Sequence, residues 1–123
     1  MSPPARPRVL LVEDEALVAV ELADLLGFFG CQVDGVFGVL GDALAWLDAR
    51  TEPLDGAVLD INLGGQMVFP LADKLRERGV PFVFATGYSH LEELVRYKDA
   101  VVLAKPIVDD DLESAVRRFK RAA

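Results

Sequence analysis

Five short β-rich runs punctuate the chain, at residues 9–12, 32–36, 56–59, 82–85 and 100–103, each bounded by turn formers or charge. Runs of this length and composition predict strands, and their apolar continuity predicts burial on both faces. Between them the spacing changes to three and four. Val18, Leu22, Leu25 and Phe29 make one row; Leu40, Ala43, Leu44 and Leu47 a second; Val68, Leu71, Ala72 and Leu75 a third; Val108, Leu112, Ala115, Val116 and Phe119 a last. Each row is the apolar stripe of a helix. A further helix is predicted around 91–97, more exposed than the rest, because Leu91, Leu94 and Val95 stand among Glu92, Glu93, Arg96 and Lys98. Gly27 and Gly30 close the first helix, Asp42 sits in the opening turn of the second, and Gly79 and Pro81 separate the third from the fourth strand. Strands alternating with helices in this way predict right-handed crossovers and a doubly wound parallel α/β sheet covered on both faces.

In such sheets ligands bind beyond the carboxyl ends of the strands, where strand order reverses. The unusual polar residues fall there: Glu13, Asp14 and Glu15 after the first strand, Asp60 ending the third, Thr86 ending the fourth and Lys105 ending the fifth, with Pro106 next. Crowded carboxylates repel one another, and a hard divalent cation with oxygen ligands relieves that repulsion. Mg2+ is the expected cofactor, held by Glu13, Asp14 and Asp60 and by the backbone carbonyl of Asn62. Glu13 to Glu15 taken alone would fit an acidic helix start, and Asp60, Thr86 and Lys105 taken alone would fit a turn residue, a strand residue and a solvated lysine. Together they fit phosphoryl transfer. Asp60 would attack phosphorus to form an acyl phosphate, the cation and Lys105 would neutralise the charge on the transferred group, and the Thr86 hydroxyl would donate to a phosphoryl oxygen. The Lys105–Pro106 bond is open to either isomer, and a cis bond would aim the ammonium inward.

Composition narrows the classes. At 123 residues, 52% hydrophobic and 27% charged, the chain has the makings of one folded domain. Residues 1–8, with three prolines, read as a disordered lead-in to a domain at 9–123 that carries no output domain. No apolar run approaches the roughly 20 residues of a membrane span. One cysteine, Cys31, and no export signal predict a free core thiol and a cytoplasmic protein. A net charge of −7 is the wrong sign for attracting nucleic-acid phosphates. The basic cluster at Arg117, Arg118, Lys120 and Arg121 reads as charge placed against a helix dipole.

Val-Leu-Leu-Val-Glu-Asp-Glu at 9–15, Asp-Ile-Asn-Leu-Gly at 60–64, Thr86 and Lys105-Pro106, in that order and after the right strands, resemble the receiver domain of two-component response regulators. The resemblance implies a flavodoxin-like (βα)5 fold of strand order 2-1-3-4-5, Glu13 and Asp14 as the metal pair, Asp60 as the phosphorylated aspartate, Thr86 as the switch hydroxyl and Lys105 as its partner lysine. It also implies a sensor histidine kinase or phosphotransfer protein as donor, output through protein contacts or action as a phosphate sink, and no catalysis beyond the domain's own phosphorylation and dephosphorylation. Phe-Val-Phe-Ala-Thr-Gly-Tyr at 82–88 is similar to the signature of the FATGUY bacterial receivers, which implies a kinase of the HWE or HisKA2 type. Commoner receivers place Tyr or Phe three residues before the lysine as the rotating partner of the Thr. Val102 stands there in this chain, which leaves the Gly87 backbone and Tyr88 as candidates for that coupling.

Two other functions compete. An Asp-nucleophile phosphatase resembling the haloacid dehalogenase group needs a carboxylate two residues after the nucleophile as general acid, and Asn62 cannot protonate a leaving group. A module of the same fold that binds partners without being phosphorylated is the second alternative, to be judged on the site rather than the fold.

Overall fold

The computed structural model describes residues 5–87 and 92–119. The elements are β1 (Arg8–Val12), α1 (Ala16–Phe28), β2 (Gln32–Phe37), α2 (Leu40–Ala49), β3 (Gly56–Asp60), β4 (Asn62–Leu63), β5 (Gln66–Met67), α3 (Phe69–Glu77), β6 (Phe82–Thr86), a 3-10 helix (Glu92–Tyr97), β7 (Val101–Ala104) and α4 (Asp109–Val116). The main sheet is parallel in the order β2-β1-β3-β6-β7. Counting its own strands alone, that order is the expected 2-1-3-4-5.

Strand alternation divides the core into two layers. Leu10 and Val12 of β1 face one way, with Ala57, Leu59 and Phe84, under α2, α3 and the 3-10 helix. Val9 and Leu11 face the other way, with Val58 and Val83, under α1 and α4. The central strands β1 and β3 are thus sealed on both faces, whereas β2 and β7 lie at the edges and are only partly covered. Cys31 is buried in the second layer. Phe119 lies beyond the end of α4 and is buried against β3, where a Cβ on Gly56 would sit 2.3 Å from its ring. Glycine is required there for the ring to close that layer, and contacts below 3 Å exceed what a packed interior absorbs without moving.

Three expectations change. Leu94 and Val95 do not make a fifth α-helix: Glu92–Tyr97 is a 3-10 turn, too sparsely apolar to build a continuous stripe, although Tyr97 is deeply buried rather than exposed. Leu91 and Tyr88 lie outside the described residues, as do residues 1–4; Arg8, assigned to the lead-in, is the first residue of β1. In α1 the deepest positions are Ala19, Leu22 and Leu26, a stripe rotated from the expected Val18, Leu22, Leu25 and Phe29, while Leu17 and Phe28 face outward. An additional hairpin, β4–β5, follows β3 and turns at Gly64 and Gly65, both with positive φ (62° and 96°).

Candidate functional site

The carboxyl ends of β1, β3, β6 and β7 meet around a hollow of about 280 Å3 lined by Asp14, Glu15, Asp60, Asn62, Gly64, Gly65 and Lys105. Asp60 is the last residue of β3, in register with Ala85 of β6, and is 7% exposed because buried strands flank it on both sides. Glu13 leaves β1 on the next strand over and is 3% exposed. Its two carboxylate oxygens are both engaged: Oε1 accepts from Lys105 Nζ at 2.6 Å and Oε2 from the Glu15 amide at 3.1 Å, at the start of α1. Lys105 Nζ also lies 3.4 Å from Asp60 Oδ2. The Lys105–Pro106 bond is cis, and the Lys105 amide donates to the Thr86 carbonyl at 2.9 Å, which fixes the exit of β7 against the end of β6. Thr86 is buried at the end of β6.

One carboxylate oxygen from each of Glu13, Asp14 and Asp60 lies within 4.8 Å of the other two. Burial and the neighbouring groups shift two of them in opposite senses. Burial, then Glu13 beside it, pushes the Asp60 carboxyl up to about 7, against the opposing pull of Lys105. Burial works in the same sense on Asp14, but that residue faces solvent, and hydrogen bonding with Asp60 and Glu13 leaves it below its ordinary value. Burial would lower Lys105; its contacts with Glu13 and Asp60 outweigh that and raise it. Among the described residues Lys105 is the cation that faces Glu13 and Asp60, with Asp14 beside them as a third carboxyl. The donor set is all oxygen, it is compact, and it carries more negative charge than Lys105 balances, so these residues fit a hard divalent ion such as Mg2+.

The hairpin shapes the opposite rim. The Asn62 side chain turns back, its Oδ1 accepting from the Gly65 amide at 2.7 Å, and is committed to the turn. Asn62 lines the hollow as expected; its side chain supports the loop rather than serving as an acid. Val102 sits on β7, 41% exposed, in register with Phe84. Gly87 follows β6 directly and is exposed.

Among solved structures the chain is similar to SdrG from Sphingomonas melonis Fr1, at 36% identity and a TM-score of 0.79 over 95% of this chain and 98% of that one. SdrG in its BeF3-activated conformation gives 36% and 0.73. The signal receiver domain of a modulated diguanylate cyclase from Desulfovibrio desulfuricans G20 gives 30% identity and a TM-score of 0.78, over 94% of each chain. The chain is a response-regulator receiver domain.

No protein-family model matches the receiver. A curated relative, the transcriptional regulatory protein PdtaR of Mycobacterium tuberculosis, is 29% identical over 121 residues, and the receiver spans 92% of its own length but only 58% of PdtaR. Among the described residues no helix is long and apolar enough to cross a membrane. The site residues found by sequence, Glu13, Asp14, Asp60, Asn62, Thr86 and Lys105, all arrive at one edge of the receiver; Tyr88 lies outside the described residues. What sequence reasoning missed is Tyr97, which packs against β6 behind the site, and the Gly64-Gly65 turn, whose glycine pair between two short polar-apolar stretches was the available signal.

Proposed function

We propose that Asp60 accepts a phosphoryl group from a phosphohistidine of a sensor histidine kinase, of the HWE or HisKA2 type, or of a phosphotransfer protein. The observation that carries this reading is a carboxylate buried at the end of a central strand, with an ammonium 3.4 Å away and two more acids beside it. An Asp60 oxygen attacks phosphorus as the phosphorus–nitrogen bond breaks and the imidazole leaves; later attack by water on the acyl phosphate returns the carboxylate. These self-directed steps are the domain's own catalysis. Lys105 neutralises charge on the transferred group, and the Thr86 hydroxyl donates to one of its oxygens. Mg2+, held by Glu13, Asp14 and Asp60 with the Asn62 carbonyl, supplies additional charge neutralisation when bound. In the resting site Lys105 takes up part of that charge at Glu13. Output is by contact with another protein, or the domain serves as a phosphate sink, in the cytoplasm and without direct nucleic-acid binding.

Incubation with acetyl phosphate and Mg2+, followed by intact-mass measurement, tests the reading. One phosphoryl mass should be gained by the native chain and none by Asp60→Asn. No gain in the native chain would favour a constitutive binding module, and turnover of unrelated phosphoesters would favour a phosphatase.

A further inference from the structure

Tyr97 closes the 3-10 helix and is 2% exposed, although the segment around it is largely charged. Its ring meets three others: it stacks on Phe69 of α3, with centroids 5.3 Å apart and planes at 15°, and meets Phe84 and Phe82 of β6 edge-on at 5.4 and 6.2 Å. The hydroxyl donates to Asp73 Oδ1 on α3 at 2.5 Å, and Arg96 reaches the same carboxylate at 3.3 Å. The Arg76 guanidinium lies 4.8 Å from the Tyr97 ring centroid and donates to the Arg96 carbonyl at 3.3 Å. One side chain thereby ties the 3-10 helix both to α3 and to β6.

The strand it touches is the one that ends at the site. Phe84 precedes Thr86 by two positions, so both side chains leave β6 on the same face. Asp60 is in register with Ala85 between them. Val102, the β7 neighbour of Phe84, is small and half-exposed, and the aromatic bulk against Phe84 comes from Tyr97 of the 3-10 helix together with Phe69 and Phe82.

We infer that Tyr97 and Asp73 form a latch that holds the 3-10 helix on α3, and that a phosphoryl group on Asp60 weakens this latch through Thr86 and Phe84. The inference rests on Asp60 being the phosphoacceptor. Tyr97 touches none of the reacting atoms and acts as a positioning residue. When phosphoryl oxygens engage the Thr86 hydroxyl, the end of β6 shifts, and a close-packed cluster of four rings passes that shift to Tyr97 because it has little slack to absorb it. Coupling of this kind is reciprocal: whatever factor phosphorylation takes from the latch, breaking the latch adds to the affinity for a phosphoryl mimic.

Beryllofluoride, with Mg2+ and the full chain, is the probe. Tyr97→Phe keeps the ring and removes the hydroxyl, and Asp73→Asn weakens the same bond from the other side. Both variants should bind beryllofluoride about fivefold to tenfold more tightly, the size expected for loss of one hydrogen bond from the resting state alone. Amide exchange across residues 94–100 should quicken in the native chain when beryllofluoride is added and should change little in Tyr97→Phe, where the segment is already released. A purely structural tyrosine would lower stability without tightening the mimic, so equal or weaker affinity in both variants overturns the latch. Unchanged exchange at 94–100 in the native chain does so too. The acetyl phosphate adduct measured on the same preparation separates the two readings: an adduct with no affinity gain in the variants removes the latch alone, and no adduct removes the acceptor and the latch together.

Discussion

Replacing Asp60 by Asn should make the metal-free domain more stable. The folded site pushes the Asp60 carboxyl from 3.8 up to about 7, so between those values the native state holds a proton that the unfolded chain has released. Stability therefore falls as pH rises through that window, and the whole cost of ionising Asp60 is felt above it. Each unit of displacement is worth about 1.4 kcal/mol, which sets an upper bound of roughly 4 kcal/mol. Relaxation and the high effective dielectric of real sites reduce this to about 2 kcal/mol. Asparagine keeps the shape and removes the charge. Thermal unfolding with a chelator present should then show Asp60→Asn melting about 8 °C above the native chain at pH 8, at about 4 °C per kcal/mol for a domain of this size. The gain should shrink steadily below pH 7 and vanish near pH 4. Equal melting points at pH 8, or a gain that persists at pH 4, would refute the claim that crowding at Asp60 is stored in the resting fold.

Lys105→Ala removes the ammonium from Glu13 and Asp60, leaving a buried carboxylate without its ion partner, and should cost about 3 kcal/mol in urea unfolding. The same variant should slow phosphorylation by acetyl phosphate on the order of a hundredfold, as followed by intact mass. Asp34 occupies the irregularity between β1 and β2, where its carboxylate accepts from Arg8 at 3.1 Å and Arg50 at 2.7 Å. Burial would raise that carboxyl, but the two guanidiniums hold it below its ordinary value, so its contribution is present at neutral pH and lost as pH falls through the depressed folded value. Asp34→Asn should cost about 2 kcal/mol in a urea titration at pH 7 and progressively less in acid.

The main lines of the fold were legible because burial and alternation write themselves into composition. A carboxylate directly after Ala57-Val58-Leu59, or a lysine after four apolar residues, can only emerge at a strand end, and the parallel topology collects such ends on one edge. Other features depend on partners remote in sequence. Glu13 and Asp14 are adjacent acids, and only the packing of β1 beside β3 makes the first buried and the second exposed. Tyr97 looked like part of a weak helix because its partners, Phe69, Asp73 and Phe84, lie 13 to 28 positions away. The α1 stripe was mis-phased because that helix is apolar nearly all round, so periodicity carries little directional information there.

Cys31 turns the second core layer into a clock. It is the only thiol in the chain, it is buried behind the sheet between α1 and β2, and burial raises its pKa, so in the native fold it should react slowly with a thiol reagent. Labelling then times the opening of the face opposite Tyr97. Run beside amide exchange at 94–100, it separates loosening of the whole molecule from departure of one segment, with no reporter group added to the protein.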